Sequence, residues 1–233
     1  NQIIDGTHHT PTYTEHGVPF LRVTDIQSRD IDFKYLKFIS QAEHCMLLQR
    51  CKPEKGDVLL SKNGTIGIPK IVSWDWEFSI FVSLALLKLK RGELDANYLY
   101  QYFLSNFLDH QIRRRSKQGT VTNLHLEEIR EFLIPLPPTL GEQSFIAEAL
   151  SDTDAQIESL ESLIAKKRAI KQGAMQELLS GKRRLPGFSD DWRQVHLGEI
   201  GEFSKGSGIR KDDANSGSLP CVRYGELYTR HQD

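Results

Sequence analysis

Arg113, Arg114, Arg115 and Lys117 crowd into a stretch that runs straight on into Gln118-Gly119-Thr120-Val121-Thr122-Asn123-Leu124. Guanidinium and ammonium groups neutralise phosphates, while Thr and Asn side chains can hydrogen-bond base edges, Asn matching adenine best. The pattern has the residue types of a nucleic-acid contact in which cations set position and a neighbouring loop reads sequence. The plainer alternative is a solvated helix end at Arg113 to Arg115 and a helix N-cap within Thr120 to Asn123. Two further places offer the same chemistry. Lys62-Asn63-Gly64 follows a strand-like run, and Asn-Gly is a strong hairpin signal that would put Lys62 and Asn63 at a tip; Arg22 lies in another strand-like run. Lys62 or Arg22 would suit guanine.

Reaction chemistry has no comparable signature. The sequence contains no GxxxxGK[ST] phosphate loop, GxGxxG turn, HExxH helix or GxSxG elbow. Asp32-Phe33-Lys34 has a carboxylate-x-lysine spacing, but no Pro-Asp pair precedes it to complete a nuclease set. His8-His9 reads as part of a loop and not as a metal ligand pair. Cys45, Cys51 and Cys221 are odd in number and lack a CxxC spacing, which points to reduced thiols in a cytoplasm and away from disulfides or zinc. The expectation is a binding protein.

Net charge is −1 and the pI about 6.8, which by itself does not announce a nucleic-acid binder, since non-specific DNA affinity scales with neutralised phosphates. The charge is uneven, however: cations gather at Arg113 to Lys117 and Lys166 to Arg168, and acids between Glu142 and Glu161. Local fields differ from the total. With 233 residues, 39% of them hydrophobic, the chain has ample core, and no apolar run approaches the length of a membrane span.

Residues 1–138 read as a mixed α/β domain. Strands are expected at 18–26, 58–60, 78–89 and 132–136, the third nearly all apolar, as a strand covered on both faces would be. Helices are expected at 40–50, 97–108 and 126–132, the aromatics of 97–108 belonging to core. Behind Pro137-Pro138, Thr139 and Glu142 have capping-box spacing, and Ile146, Leu150, Thr153, Ile157, Leu160 and Ile164 recur at alternating steps of four and three. This predicts one long helix with a coiled-coil seam, a rod of about 60 Å at roughly 1.5 Å per residue. The apolar stripe shifts phase to Ile170, Ala174 and Leu178, and Gly181 with the cations after it marks the end. Trp192 to Ile200 reads as a new strand. Leu219 to Leu227 can be laid over Val18 to Ile26, Pro220 meeting Pro19 and Arg223 meeting Arg22, as if a second copy of the domain were beginning.

An ordered series of short motifs runs through these pieces: Gly56-Asp57-Val58-Leu59-Leu60 with Gly64-x-x-Gly67; Gly119 to Leu124; Ile134-Pro135-Leu136-Pro137-Pro138 leading to Glu142-Gln143; and Met175-Gln176-x-Leu178-Leu179-Ser180-Gly181-Lys182-x-Arg184-Leu185. Their order resembles the specificity subunit of type I restriction-modification enzymes, over nearly the whole chain. The resemblance implies an α+β fold: a mixed α/β target recognition domain at 1–138 whose opening strand is missing, a conserved coiled-coil spacer helix at 139–184, and the beginning of a second recognition domain at 185–233, so that the chain is expected to be a piece of a longer subunit. It implies a non-catalytic role: recognition of one half of a bipartite double-stranded DNA site, with modification (methyltransferase) and restriction (translocase/nuclease) subunits as partners in a prokaryotic cytoplasm. S-adenosylmethionine, ATP and Mg are expected on those partners and no cofactor in this chain. The expected DNA contacts are Arg22, Lys62, Asn63, Arg113, Arg114, Arg115, Lys117, Thr120, Thr122 and Asn123. Ile146, Leu150, Ile157, Leu160 and Ile164 are expected to pack on a second helix, which self-association would supply. The alternative is a coiled-coil adaptor whose globular domain binds protein.

Overall fold

The computed structural model describes residues 2–90, 92–115, 123–205 and 217–218, with the Arg115 side chain outside the description. The chain divides into two compact units, Asn1–Lys166 and Lys167–Asp233.

The first unit is built on the near-continuous apolar runs. β5 (Val58–Ser61) and β8 (Leu84–Lys88) pair antiparallel at the centre of a four-stranded sheet, order β1-β8-β5-β6, with β1 at Gln2–Asp5 and β6 at Pro69–Ile71. Side chains alternate across a strand, so each central strand feeds two cores. Val58, Leu60, Ala85 and Leu87 pack under helices, with Leu99, Tyr102, Phe103, Leu108, Ile112 and Ile129. Leu59, Leu84 and Leu86 face the other way, with Leu21, Ile26, Phe78 and Ile80. Each fully buried side chain of this size contributes about 1.5–3 kcal/mol, so burying both faces makes this sheet the middle layer. A second sheet, order β2-β4-β3-β7, covers one face with β2 (Tyr13–Thr14), β3 (Val18–Leu21), β4 (Lys37–Ile39) and β7 (Ser79–Ile80). The helices α2 (Ala96–Leu104), α3 (Asn106–Arg115) and α4 (Leu126–Arg130) cover the other; α1 (Gln41–Leu48), capped by the Ser40 hydroxyl, lies beside β7.

Several elements differ from the sequence reading. The run 78–89 is two strands in two sheets: a turn closed by Leu84 N–H donating to the Phe81 carbonyl at 3.0 Å separates β7 from β8. An apolar pattern alone does not reveal a change of sheet. The strand expected at 18–26 stops at Leu21, because Asp25 accepts from the Arg22 N–H at 2.8 Å and closes a 3-10 turn over Val23–Asp25. The helix expected at 97–108 breaks at Ser105, which is extended and whose hydroxyl accepts from Phe107 N–H at 3.3 Å as α3 begins. Of its aromatics, Tyr98, Tyr102 and Phe103 are buried, while Phe107 is exposed. Residues 132–136 form no strand; the Tyr102 hydroxyl and Gln111 amide satisfy the Leu133 carbonyl at 2.8 and 2.9 Å in place of a sheet partner. β1 and β2 were not anticipated at all.

The long helix α5 spans Leu140–Leu179. The Thr139 hydroxyl accepts from Glu142 N–H at 3.2 Å and caps its start. One turn in, Gln143 is 1% exposed. Its Oε1 accepts from Asp95 N–H at 2.8 Å, and its Nε2 donates to the carbonyls of Glu93 and Pro137 at 3.1 and 3.2 Å. Farther along, Gln101 Nε2 donates to Asp154 Oδ2 at 3.0 Å, and Arg29 pairs with Glu158. The second unit begins within α5. Gly181, at φ +73°, ends the helix in the left-handed conformation, and Trp192 packs 3.4 Å from where its Cβ would be. Trp192 to Ile200 is not a strand: Leu197–Ile200 forms the single-turn helix α6. Leu219 to Leu227, the start of the apparent second copy, lies outside the described residues.

Gln143→Ala should cost about 1–3 kcal/mol, because it leaves the partly buried Asp95 N–H and two carbonyls unpaired at one point. Urea unfolding of both proteins checks this; a loss under about 0.5 kcal/mol, the scale of an ordinary surface change, would show that the amide is not a tie point.

Candidate nucleic-acid interface

After Ser61 the chain leaves β5 and returns as its antiparallel partner β6 at Pro69, so the expected hairpin is present and is closed by a wide loop over residues 62–68. Three other segments converge on it. Lys62 N–H donates to the Ser83 carbonyl at 2.8 Å, and Leu124 N–H donates to the Lys62 carbonyl at 2.8 Å. Asn63 and Asn123 face each other in an antiparallel bridge. Val23 N–H reaches the Ser83 hydroxyl at 3.3 Å, which brings in Arg22. At the other end of the loop Gly67, at φ +87°, is held by its N–H to the Ser61 carbonyl at 2.9 Å. A Cβ there would sit 3.1 Å from Ile112 Cδ1 on α3, so the glycine lets α3 approach. Arg22, Lys62, Asn63, Asn123 and the end of α3 are therefore gathered at one end of the first sheet.

Their states differ. Asn123 is exposed, as are Arg113 and Arg114 on the last turn of α3. Arg113 Nε donates to Asp109 Oδ2 at 2.8 Å, one helical turn back. Asn63 is half-buried, and its Oδ1 is buried with no hydrogen-bond partner among the described residues. Arg22 is gripped by Asp25, Nε to Oδ2 at 3.0 Å and Nη2 to Oδ1 at 2.9 Å. That hydrogen bond, offset in part by burial, raises the Arg22 pKa above its usual value, and the fork is fixed along one edge. The side chain of Arg115 and all of Lys117, Thr120 and Thr122 lie outside the described residues.

Lys62 is not a solvated tip. It is 5% exposed, with Nζ 3.4 Å from Oδ2 of Asp5, itself 3% exposed at the end of β1. The expectation failed because the partner carboxylate lies on a strand the sequence reading did not find. Asp5 also meets Arg50 Nη2 at 2.6 Å and His8 Nε2 at 3.0 Å. This cluster went unnoticed in the sequence, where the available signal was Asp5-Gly6: a Cβ on Gly6 would lie 1.9 Å from the Ile80 carbonyl oxygen, so only glycine lets β1 pass β7 there. On α5, Ile146 is half-buried, and Leu150, Ile157, Leu160 and Ile164 are 46–51% exposed; the described residues leave the seam largely uncovered. Among those residues no helix is long and apolar enough to cross a membrane.

The first unit is thus an α+β domain with a loop cluster at one end of its middle sheet, and the long helix begins within it. Two solved structures share the fold: one described as the structural basis of assembly and conformational transition of the type I R-M system, at TM-score 0.55 and 22% identity over 75% of this chain and 42% of that one, and the HsdS subunit of Thermoanaerobacter tengcongensis, at 0.53 and 18% over 81% and 48%. Residues 13–167 match the model of the type I restriction modification DNA specificity domain. The chain belongs to that family. It is 26% identical over 148 residues to the type I restriction enzyme EcoBI specificity subunit of Escherichia coli, covering 64% of this chain and 31% of the relative. To the MjaX specificity subunit of Methanocaldococcus jannaschii, described as putative, it is 27% identical over 200 residues, covering 78% and 46%. The chain thus spans about a third to a half of the length of these relatives.

Asp5→Ala should destabilise the first unit by about 3–5 kcal/mol, since it leaves the Lys62 ammonium buried without a counter-charge. Adding Lys62→Met should recover part of the loss in urea unfolding; a double mutant as unstable as the sum of its parts would mean that the pair is not coupled.

Proposed function

We propose that this chain reads one half of a bipartite double-stranded DNA site for a type I restriction-modification complex, without catalysing a reaction itself. The observation that carries this is the gathering of Arg22, Asn63, Asn123 and the arginine-bearing end of α3 at one end of the first sheet. Arg113 and Arg114 contact phosphates and set the register. Asn123 and Asn63 approach base edges, as the division between positioning and reading contacts requires. Lys62 supports the loop from inside. Methyltransferase and restriction subunits are the partners, and they carry S-adenosylmethionine, ATP and Mg.

The α5 seam is the scaffold surface. Glu148, Asp152, Asp154, Glu158 and Glu161 precede Lys166, Lys167, Arg168 and Lys171 along the helix, so an antiparallel partner helix of the same kind places acids against bases. Opposed charges of this sort fix orientation more than they add affinity. Self-association of this chain provides such a partner with two-fold symmetry.

A salt titration of duplex DNA binding tests the reading: affinity should fall steeply from low to moderate salt, and an absence of binding at low salt would favour a protein-binding adaptor. Arg114→Ala should weaken binding equally for all sequences, whereas Asn123→Ala should relax one base position at about 1–3 kcal/mol. Selection of bound sequences from a randomised duplex pool distinguishes them, and a changed preference in Arg114→Ala would reverse the assignment. For the seam, Leu160→Glu should turn a dimer into a monomer in sedimentation at micromolar concentration; a monomeric parent chain would rule out self-association.

A further inference from the structure

The Asp5 cluster lies at the same end of the first sheet as Asn63 and Asn123, because Lys62 belongs both to the cluster and to the loop. Its burial is graded. The Asp5 side chain is 4% exposed and Lys62 7%, while the Arg50 and His8 side chains are 58% and 60% exposed. A covered carboxylate thus holds a guanidinium and an imidazole by their inner faces and leaves the outer faces in water. Arg50 uses Nη2 for Asp5, and among the described residues no partner takes its Nη1 or Nε.

The other charged groups nearby do not cancel this. Glu43, the second carboxylate, has a side chain only 15% exposed; it accepts from Thr12 N–H at 3.2 Å and lies 4.0 Å from His9 Nε2. His9 itself is tied through Nδ1 to the Thr7 hydroxyl at 2.8 Å. What meets solvent is cationic or imidazole, and what is negative is covered. A cavity of about 440 Å³ opens beside Arg50 and His8, with Leu47, Cys51 and Ile80 in its wall.

The loop over residues 62–68 is therefore fastened at its first residue to this cluster and passes at Gly67 close against α3, whose last turn carries the arginines. A base-reading loop flanked at both ends by oriented cations matches the usual division of protein–DNA contacts, and charge-assisted hydrogen bonds from a fixed Arg are the strong ones.

We propose that Arg50 holds a backbone phosphate of duplex DNA at the Lys62 end of the loop, joined by His8 when its ring is an imidazolium and both nitrogens donate, with Asp5 as their positioning residue. This rests on the DNA-reading assignment above. The contact is sequence-independent, so it sets where the loop sits on the duplex without choosing bases.

The test measures binding of the intact chain to a randomised duplex pool, and to the sequences selected from it, across a salt series. Arg50→Ala should lower affinity for both by the same factor and reduce the slope of log affinity against log salt by about one. Arg50→Lys should keep the slope, since it keeps the charge. Arg50→Gln, which can still donate to Asp5, should reduce the slope by the same amount while leaving the urea midpoint in place, separating a phosphate contact from a folding role if the alanine variant is unstable. His8→Gln should lower affinity without altering the selected sequences. If the parent chain binds and Arg50→Gln leaves both affinity and slope unchanged, the phosphate site is wrong and the DNA-reading assignment stands. If Arg50→Gln changes the selected sequence, Arg50 reads a base and the proposal is equally overturned. If the parent chain binds no DNA at any salt, both fall together.

Discussion

The carboxylate of Asp5 is the constraint on which the recognition end of this protein depends. Burying one ion inside a small domain costs several kcal/mol unless its partners are close and well aimed, and Asp5 has Lys62, Arg50 and His8 within 3.4 Å. Each partner belongs to a different segment, so the electrostatic requirement becomes a geometric one: the loop after β5, the end of α1 and the turn after β1 must all meet at one point. From Lys62 the constraint passes through the backbone to Ser83 and Leu124, and so to the Asn63–Asn123 bridge. A loop of polar residues would otherwise lose much of its conformational entropy only on binding; here the ordering is done in the folded chain.

The opposite problem is solved where α5 leaves the domain. A long helix gains little from the domain it leaves unless its first turns are locked, and Gln143 and Ala147 are the buried residues of this one. Gln143 locks them with a neutral amide whose three hydrogen bonds converge from the helix approach and from the segment before α2. An uncharged group carries no ion-desolvation penalty, and its planar donors and acceptor fix rotation as well as position. The apolar seam beyond is left uncovered by the described residues, and an exposed apolar stripe of this length marks a contact surface.

How much of this was legible in the sequence depended on whether the signal was local. The long helix could be read to within a residue of its start because Thr139, Glu142 and the two prolines act within one turn, and Gly181 marks its end by a backbone conformation that glycine alone adopts cheaply. The gathering of Asn63 with Asn123 was not legible, since nothing local tells that a segment before α2 and one after α3 will pair. Lys62 was misjudged for the same reason: its environment is set by Asp5, a distant residue on a short strand whose pattern, Gln2 to Asp5, carries too few residues for periodicity to speak. The run 78–89 was correctly read as buried and incorrectly as one strand, because burial is a property of each residue while sheet membership is a property of the turn at Phe81 to Ser83.

The two fastenings sit at opposite ends of one strand: the loop over 62–68 is bonded to the residue just before β8 begins, and Gln143 is bonded to residues that follow where β8 ends. Between them lies a strand whose side chains are buried on both faces and which tolerates little displacement. Loop substitutions at the first end change what is presented to a ligand and leave the three hydrogen bonds of Gln143 untouched. Inheritance can act on the two separately. A lineage of such proteins is free to try new loop chemistry while the joint and the helix stay the same, so that each new loop arrives on a frame already built.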